Sequence, residues 1–325
     1  VAVSAGKLSL EVVDPQPFSE DEDRATASGL QAVPLGASGE TLFFGLAGSN
    51  ALDGQAAIPF FQPDKETFLE YDIAKLISSL AEPERPVMAI LSGLNLKPGV
   101  DPATGQTSQG WVINEELGKL FEVRSLESDV SQIADDVQLL AVIHPKQLSE
   151  DTLYAIDQFV LRGGRLLVFV DPNAEAEQQG AGNDPMSAMF ADKSSNMETL
   201  FKAWGVQYDP AKVVLDAENA LQIQAQPGSA PQRHLAILGL SSDDLNQQDM
   251  ISALLMSLNL STAGFISLTD DSPLSMEALV QSSGSAATIP TERVRFVADP
   301  RELFADFNAT GERYVLAGRL SGTLK

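Results

Sequence analysis

Between Leu139 and Asn173 the chain reads LLAVIHPKQLSEDTLYAIDQFVLRGGRLLVFVDPN, an order of patterns that few folds accept. Leu139–Ile143 is apolar without alternation, which suits a strand covered on both faces. Ser149 is a good N-cap, with Glu150 and Asp151 in the first turn, where the helix dipole favours negative charge. Leu153, Ile156, Phe159 and Val160 share one helical face. Arg162 falls in the last turn and Gly163 where a left-handed residue is wanted. Leu166–Val170 is a second apolar run, stopped by Asp171-Pro172. A strand, crossover helix and strand in this order predict a right-handed, parallel βαβ unit.

The neighbouring sequence extends that unit. Val87–Leu91 reads as a short buried strand, Asn114–Leu120 as a helix, and Phe121–Leu126 as a strand. The expected class is α/β, a Rossmann-like, mainly parallel sheet with flanking helices, plus further α/β or α+β elements at both ends. The expected division is an N-terminal α/β part over 1–84, a central Rossmann-like domain over 85–224 and a C-terminal α/β part over 225–325. Lys7–Val13 alternates like a strand, Asp64 precedes an amphipathic helix, and Asn196 opens another that Gly205 ends. Met250–Leu260 reads as a strongly apolar helix. Residues 94–110, 178–184 and 225–232 are rich in loop formers. Phe43, Phe44, Phe60, Phe61 and Phe68 form an aromatic group suited to core packing, with a partner-facing patch as the alternative.

Charge narrows the function classes. The chain has 45 Asp and Glu against 21 Lys and Arg, a formal net charge of −24. Such a surface repels phosphate backbones, so nucleic acid is a poor partner. There are no cysteines, which removes thiol catalysis, disulfides and thiolate metal sites. No apolar run approaches the roughly 18 residues that cross a bilayer. Val1 opens in mid-pattern and the sequence stops as abruptly, the expectation being an excised soluble fragment whose signal or anchor has been removed.

Motifs for chemistry are sparse. The sequence lacks GxGxxG, GxxxxGK[ST], HExxH and GxSxG, and its acids show no calcium-loop spacing. With only His144 and His234, a zinc site would lean on carboxylates. No metal, cofactor or catalytic residue is assigned. The best site comes from fold logic, because ligands of open α/β sheets bind beyond the carboxyl ends of the strands. Those ends carry Ser92, Gly93, His144, Asp171, Asn173 and Asp216, which would line one crevice if the strands are neighbours. The competing reading is that Asp-Pro and His-Pro simply stop strands and start turns. Ser92, His144 and Asp171 can be drawn as a hydrolytic triad, but no elbow presents the serine. Gly163-Gly164 follows a helix, whose C-terminus repels anions, so the pair is a turn and not a phosphate loop.

Several longer segments carry a family resemblance. FFGLAGSNALDGQAAIPFFQPDKETFLEYDIAKLISSL, PVMAILSGL, IHPKQLSEDTLYAIDQFVLRGGRLLVFVDPNAEAE, WGVQYDPAKVVLD, DDLNQQDMISALLMSLNLSTAGFI and LAGRLSG resemble the auxiliary component of ABC transport systems typified by the gliding-motility protein GldG. The resemblance implies a membrane-anchored protein with a large periplasmic or extracytoplasmic domain, encoded beside an ABC ATPase and a permease. It also implies a central Rossmann-like region related to one in intraflagellar-transport proteins. No catalytic residues are established in the family pattern, so the resemblance carries none over to this sequence.

The expectation is therefore a non-enzymatic, extracytoplasmic accessory domain of an inner-membrane ABC system, with the permease and ATPase subunits as partners. It would bind the permease, a substrate or an envelope component, through the strand-end crevice or loops such as 94–110 and 174–195. The alternatives are a stand-alone small-molecule or glycan-binding domain, and a hydrolase using His144 and Asp171.

Overall fold

The computed structural model describes residues 7–34, 41–81, 85–100, 107–177, 191–224 and 230–324. The loop expected at 178–184 lies outside the described residues, as does most of the 225–232 segment. Two compact units divide the chain, Val1–Arg85 and Pro86–Lys325.

In the first unit, Ser19 caps α1 (Glu20–Ala27) by accepting the Glu22 N–H on its hydroxyl. Two antiparallel pairs follow, β1 (Ala32–Pro34) with β2 (Thr41–Phe43) and β3 (Leu46–Ser49) with β4 (Gln55–Ile58). A 3₁₀ turn over Pro63–Phe68 leads into α2 (Leu69–Ala81), whose apolar stripe buries Leu76. Phe44 meets Phe60 and Phe61 edge to face, at centroid distances of 6.2 and 5.3 Å. Lys7–Val13 carries no regular structure and its side chains are exposed. Alternation fits a strand only where a neighbouring strand supplies the ladder.

The second unit is built on a four-stranded parallel sheet. Its strands are β5 (Val87–Ser92), β8 (Glu122–Leu126), β9 (Val137–Ile143) and β10 (Arg165–Phe169), in the order β10-β9-β5-β8. A short pair, β6 (Gly99–Val100) with β7 (Thr107–Ser108), and helix α3 (Val112–Leu120) lie between β5 and β8 in sequence. The order runs outward one way from β5 to β8, then the other way to β9 and β10. That reversal puts the topological switch point between the carboxyl ends of β5 and β9.

Helices cover both faces of the central strands β5 and β9, which are mainly apolar, whereas β8 reads EVRSL and β10 exposes Leu167 and Phe169 on one face. On one face, α4 (Glu150–Leu161) and α5 (Glu198–Trp204) bring Ile156, Phe159, Phe201 and Trp204 against Leu140 and Val142. On the other, Leu117 of α3 and Phe121 pack on Met88, Ile90 and Ala141. The Ser149 hydroxyl accepts the Thr152 N–H at 3.1 Å, which caps α4 as its sequence predicts. Gly163 takes φ +93°, and a side chain on Gly164 would strike the Phe159 ring. Arg162 then fastens the end of α4 to the carbonyls of Ile133 and Ala134.

The remainder is antiparallel. Strand β11 (Val206–Tyr208) joins β16 (Ile266–Leu268), β19 (Val315–Gly322) and β17 (Leu274–Gln281) in one sheet. Strand β12 (Lys212–Asp216) pairs with β18 (Ala286–Pro290). Strands β13 (Ala220–Ile223), β14 (Gln232–Ser241) and β15 (Ser257–Ser261) form another sheet. Short helices α6 (Thr291–Arg295) and α7 (Glu302–Ala305) follow β18. The class is therefore mixed α/β, one parallel sheet with several antiparallel ones, rather than a pure Rossmann arrangement.

The expected helix over Met250–Leu260 is replaced by turns and by β15. The buried Asp249 carboxylate accepts the Ile251 N–H and pairs with Arg319, which fixes the first turn. The Leu258 and Leu260 side chains then alternate onto Leu240 and Leu238 of β14, a period of two that the richer apolar run conceals. Among the described residues, no helix is long and apolar enough to cross a membrane.

Candidate functional site

The carboxyl ends of three adjacent parallel strands bring Ser92, Gly93, His144 and Asp171 to one edge of the sheet. The contact between β5 and β9 there is close. Gly93 N–H donates to the Ile143 carbonyl at 2.9 Å, and a Cβ on Gly93 would sit 2.3 Å from the His144 carbonyl oxygen. Backbone therefore fills the switch point itself. The Ser92 hydroxyl donates to the Leu94 carbonyl at 2.9 Å and accepts the Leu94 N–H at 3.0 Å. It closes a local turn and forms no relay with His144.

His144 occupies the left-handed region, at φ 50°, with 2% of its surface exposed. Its Nε2 lies 3.0 Å from Glu177 Oε2. The Lys146 ammonium donates to both Glu177 oxygens at 2.8 and 2.9 Å, balancing a carboxylate whose side chain is 7% exposed. Glu177 thus engages Nε2, which leaves Nδ1 as the second buried ring nitrogen. Among the described residues that Nδ1 has no partner, and neither do Asn196 Oδ1 and Tyr208 OH. All three residues adjoin Asp171 or its partners: Asn196 follows Ser195, whose N–H donates to the Asp171 carbonyl, and Asp171 acts on the Tyr208 phenol. Burial pushes the Asp171 carboxyl up, against the Asn173 N–H at 2.7 Å and nearby His144, while Glu175 adds to the rise. Burial likewise raises the Tyr208 phenol.

Beside this buried cluster opens a cavity of about 300 Å³, lined among others by Asn173, Glu175, Lys193, His234, Thr262 and Arg295. It is assembled from residues just beyond β10, from β14, from the end of β15 and from the end of α6. Arg295 Nε donates to Asn173 Oδ1 at 3.3 Å, and the Thr262 hydroxyl donates to the Asn173 carbonyl at 3.1 Å. The Ala236 N–H donates to His234 Nδ1 at 3.3 Å. Burial lowers the His234 pKa, opposed by the Glu175 carboxylate. The Ser261 hydroxyl holds that carboxylate at 2.9 Å. Among the described residues, no group of three His, Asp or Glu side chains is placed to hold a metal ion.

Asp216 does not join this group. It ends β12, whose partner is the antiparallel β18, and it is 0% exposed. Its Oδ1 accepts the Glu218 and Asn219 N–H groups and the Ser283 hydroxyl, while Oδ2 accepts the Asn219 amide and the Ser283 N–H. Both oxygens are fully committed to fastening the loop after β17 onto the end of β12. The six sequence candidates thus separate: four at the parallel strand ends, Asn173 on the cavity, and Asp216 in a different sheet.

Sequence reasoning missed Lys146, Glu177, Lys193 and Arg295, and weighed His234 only as a zinc ligand. Lys146 lies between β9 and α4 and Glu177 shortly after β10, both within a segment that carries the resemblance, so a signal for them existed. Arg295 stands 122 positions from Asn173, and no local pattern joins them.

No curated protein and no solved structure matches the chain. The family described as ABC-type uncharacterized transport system, a family of auxiliary components, matches residues 85–325, which cover the whole parallel sheet and the cavity. The chain belongs to that family.

Proposed function

We propose that this auxiliary component is a non-enzymatic, GldG-like accessory domain, stationed outside the cytoplasm, that works by binding. The observation that carries the reading is the cavity at the carboxyl edge of the parallel sheet, lined by charged and polar side chains. The groups that would perform hydrolysis point the same way, because Ser92 is engaged by Leu94 and His144 by Glu177. The partners on this reading are the permease and ATPase of the same transport system.

The test is co-expression of the chain with the permease and ATPase encoded beside it, followed by affinity capture in detergent and a measurement of ATPase turnover. A stoichiometric complex with altered turnover supports the accessory role. Absence of both overturns it. The cavity also favours a second reading, in which the domain binds a small molecule or glycan independently of a transporter, and ligand binding without capture of the permease would select it.

A further inference from the structure

We propose that the cavity lined by Lys193, His234 and Arg295 is a binding site for a small oxyanion, a carboxylate or phosphate group. The inference rests on reading this cavity as the binding site, and not on association with a transporter. The chain is short of cations, with 21 Lys and Arg against 45 acids, and most of those in its sheets and helices stand near a carboxylate. Lys193 and Arg295 are half-buried, face one cavity, and form no ion pair among the described residues. Two such charges repel one another and lose hydration, and an anion between them offsets both costs.

The hydrogen-bond inventory agrees. His234 Nδ1 is occupied by the Ala236 N–H, so the neutral ring carries its proton on Nε2 as a donor. Arg295 spends Nε on Asn173 Oδ1, which leaves the two terminal nitrogens of its fork and the Asn173 amide NH₂ as further donors. Glu175 is the acid among the lining residues named above, and the nearby Asp192 carboxylate acts on Arg295 without an ion pair, so the cations are only partly offset. A volume of about 300 Å³ sits at the small end of ligand pockets, enough for a metabolite-sized acid.

Burial disfavours protonation of His234 while the cavity is free, Glu175 opposes that, and Lys193 and Arg295 face the same space. The neutral ring keeps the Ala236 N–H on Nδ1 and offers Nε2–H to the anion, so binding needs no added proton.

The experiment is isothermal titration of the purified chain with inorganic phosphate, sulfate and acetate, at one pH and at matched ionic strength in chloride. At least one oxyanion should bind, and preference among the three identifies the group recognised. Lys193→Gln and Arg295→Gln should each weaken binding by tenfold or more, and Arg295→Lys by less. His234→Ala, which removes the Nε2–H donor, should also weaken binding. Lys202→Gln, on the exposed face of α5, should change nothing. Circular dichroism confirms that each variant is folded. The proposal is overturned if no oxyanion binds above chloride, or if Lys202→Gln weakens binding as much as Lys193→Gln. A flat titration with permease capture retained removes the anion site alone, and anion binding without capture removes the accessory role alone.

Discussion

Asp216→Asn is the substitution that most directly separates a structural carboxylate from a ligand-binding one. The side chain is completely buried, and every group facing either oxygen is a donor in the observed arrangement. An asparagine keeps the shape but must place an NH₂ at one oxygen position. At Oδ2 it meets the Ser283 N–H, and at Oδ1 it meets the N–H groups of Glu218 and Asn219. Either flip leaves at least one buried backbone donor unpaired and weakens the remaining bonds by removing the charge. A buried donor without a partner costs about 1–3 kcal/mol, and the lost charge-assisted bonds bring the total to about 3 kcal/mol. At about 2–4 °C per kcal/mol for a unit of this size, Tm should fall by about 6–12 °C. Ser283→Ala removes only the hydroxyl bond and should cost about 1 kcal/mol. Thermal unfolding followed by far-UV circular dichroism measures both. Below the transition, oxyanion affinity should be the same in Asp216→Asn as in the parent chain. A variant that melts with the parent, or one that stays folded and loses the ligand, refutes the structural assignment.

Gly93→Ala would place its Cβ against the His144 carbonyl, a backbone atom that cannot rotate away. Parting the ends of β5 and β9 should cost about 3 kcal/mol, read as a lower urea midpoint. Phe159→Ala empties a fully buried site between α4 and the sheet and should cost about 3–5 kcal/mol, with the urea slope unchanged. Asp171→Asn keeps the acceptor for the Asn173 N–H but removes a carboxylate whose pKa burial raises above 3.8. A raised carboxyl pKa makes the native side chain a liability that grows as pH climbs from 3.8 through the folded value. The variant should therefore melt higher than the parent at pH 7, with the gain shrinking toward pH 4; a constant difference between their melting curves would contradict the burial of that charge.

The parallel core is the part of this fold that sequence exposes best, because its determinants are local. Ser149, Gly163 and the stripe from Leu153 to Val160 each act within a few residues, and the expected βαβ unit appears with its cap and its left-handed glycine. The antiparallel half is harder to read. The Leu258 and Leu260 side chains alternate only with respect to β14, and a one-dimensional pattern rich in Met, Ile and Leu hides that partner. For the site, strand ends are visible wherever an apolar run stops, which is how Ser92, His144 and Asp171 emerge together. Whether a polar residue at such an end is free depends on what arrives from elsewhere. Ser283 reaches Asp216 from 67 positions away and Glu177 reaches His144 from 33, and both arrivals convert apparent ligand groups into internal ties.

A chain of net charge −24 with a cationic cavity filters ligands by length scale. Charges on the surface act over about a Debye length, roughly 10 Å at 0.1 M salt, and repel any extended anion that must lie across many of them. Nucleic acid and anionic lipid surfaces are of that kind. A small oxyanion inside a cavity of about 300 Å³ meets Lys193, Arg295 and the His234 N–H at close range, where contact hydrogen bonds outweigh the screened field of distant carboxylates. The two effects respond oppositely to salt. Added salt screens the repulsive surface before it competes for the half-buried contacts, so a chloride-independent rise in the association rate would accompany moderate ionic strength. An acidic exterior and a basic cavity are thus complementary parts of one selectivity, excluding polyanions while admitting a single small anion.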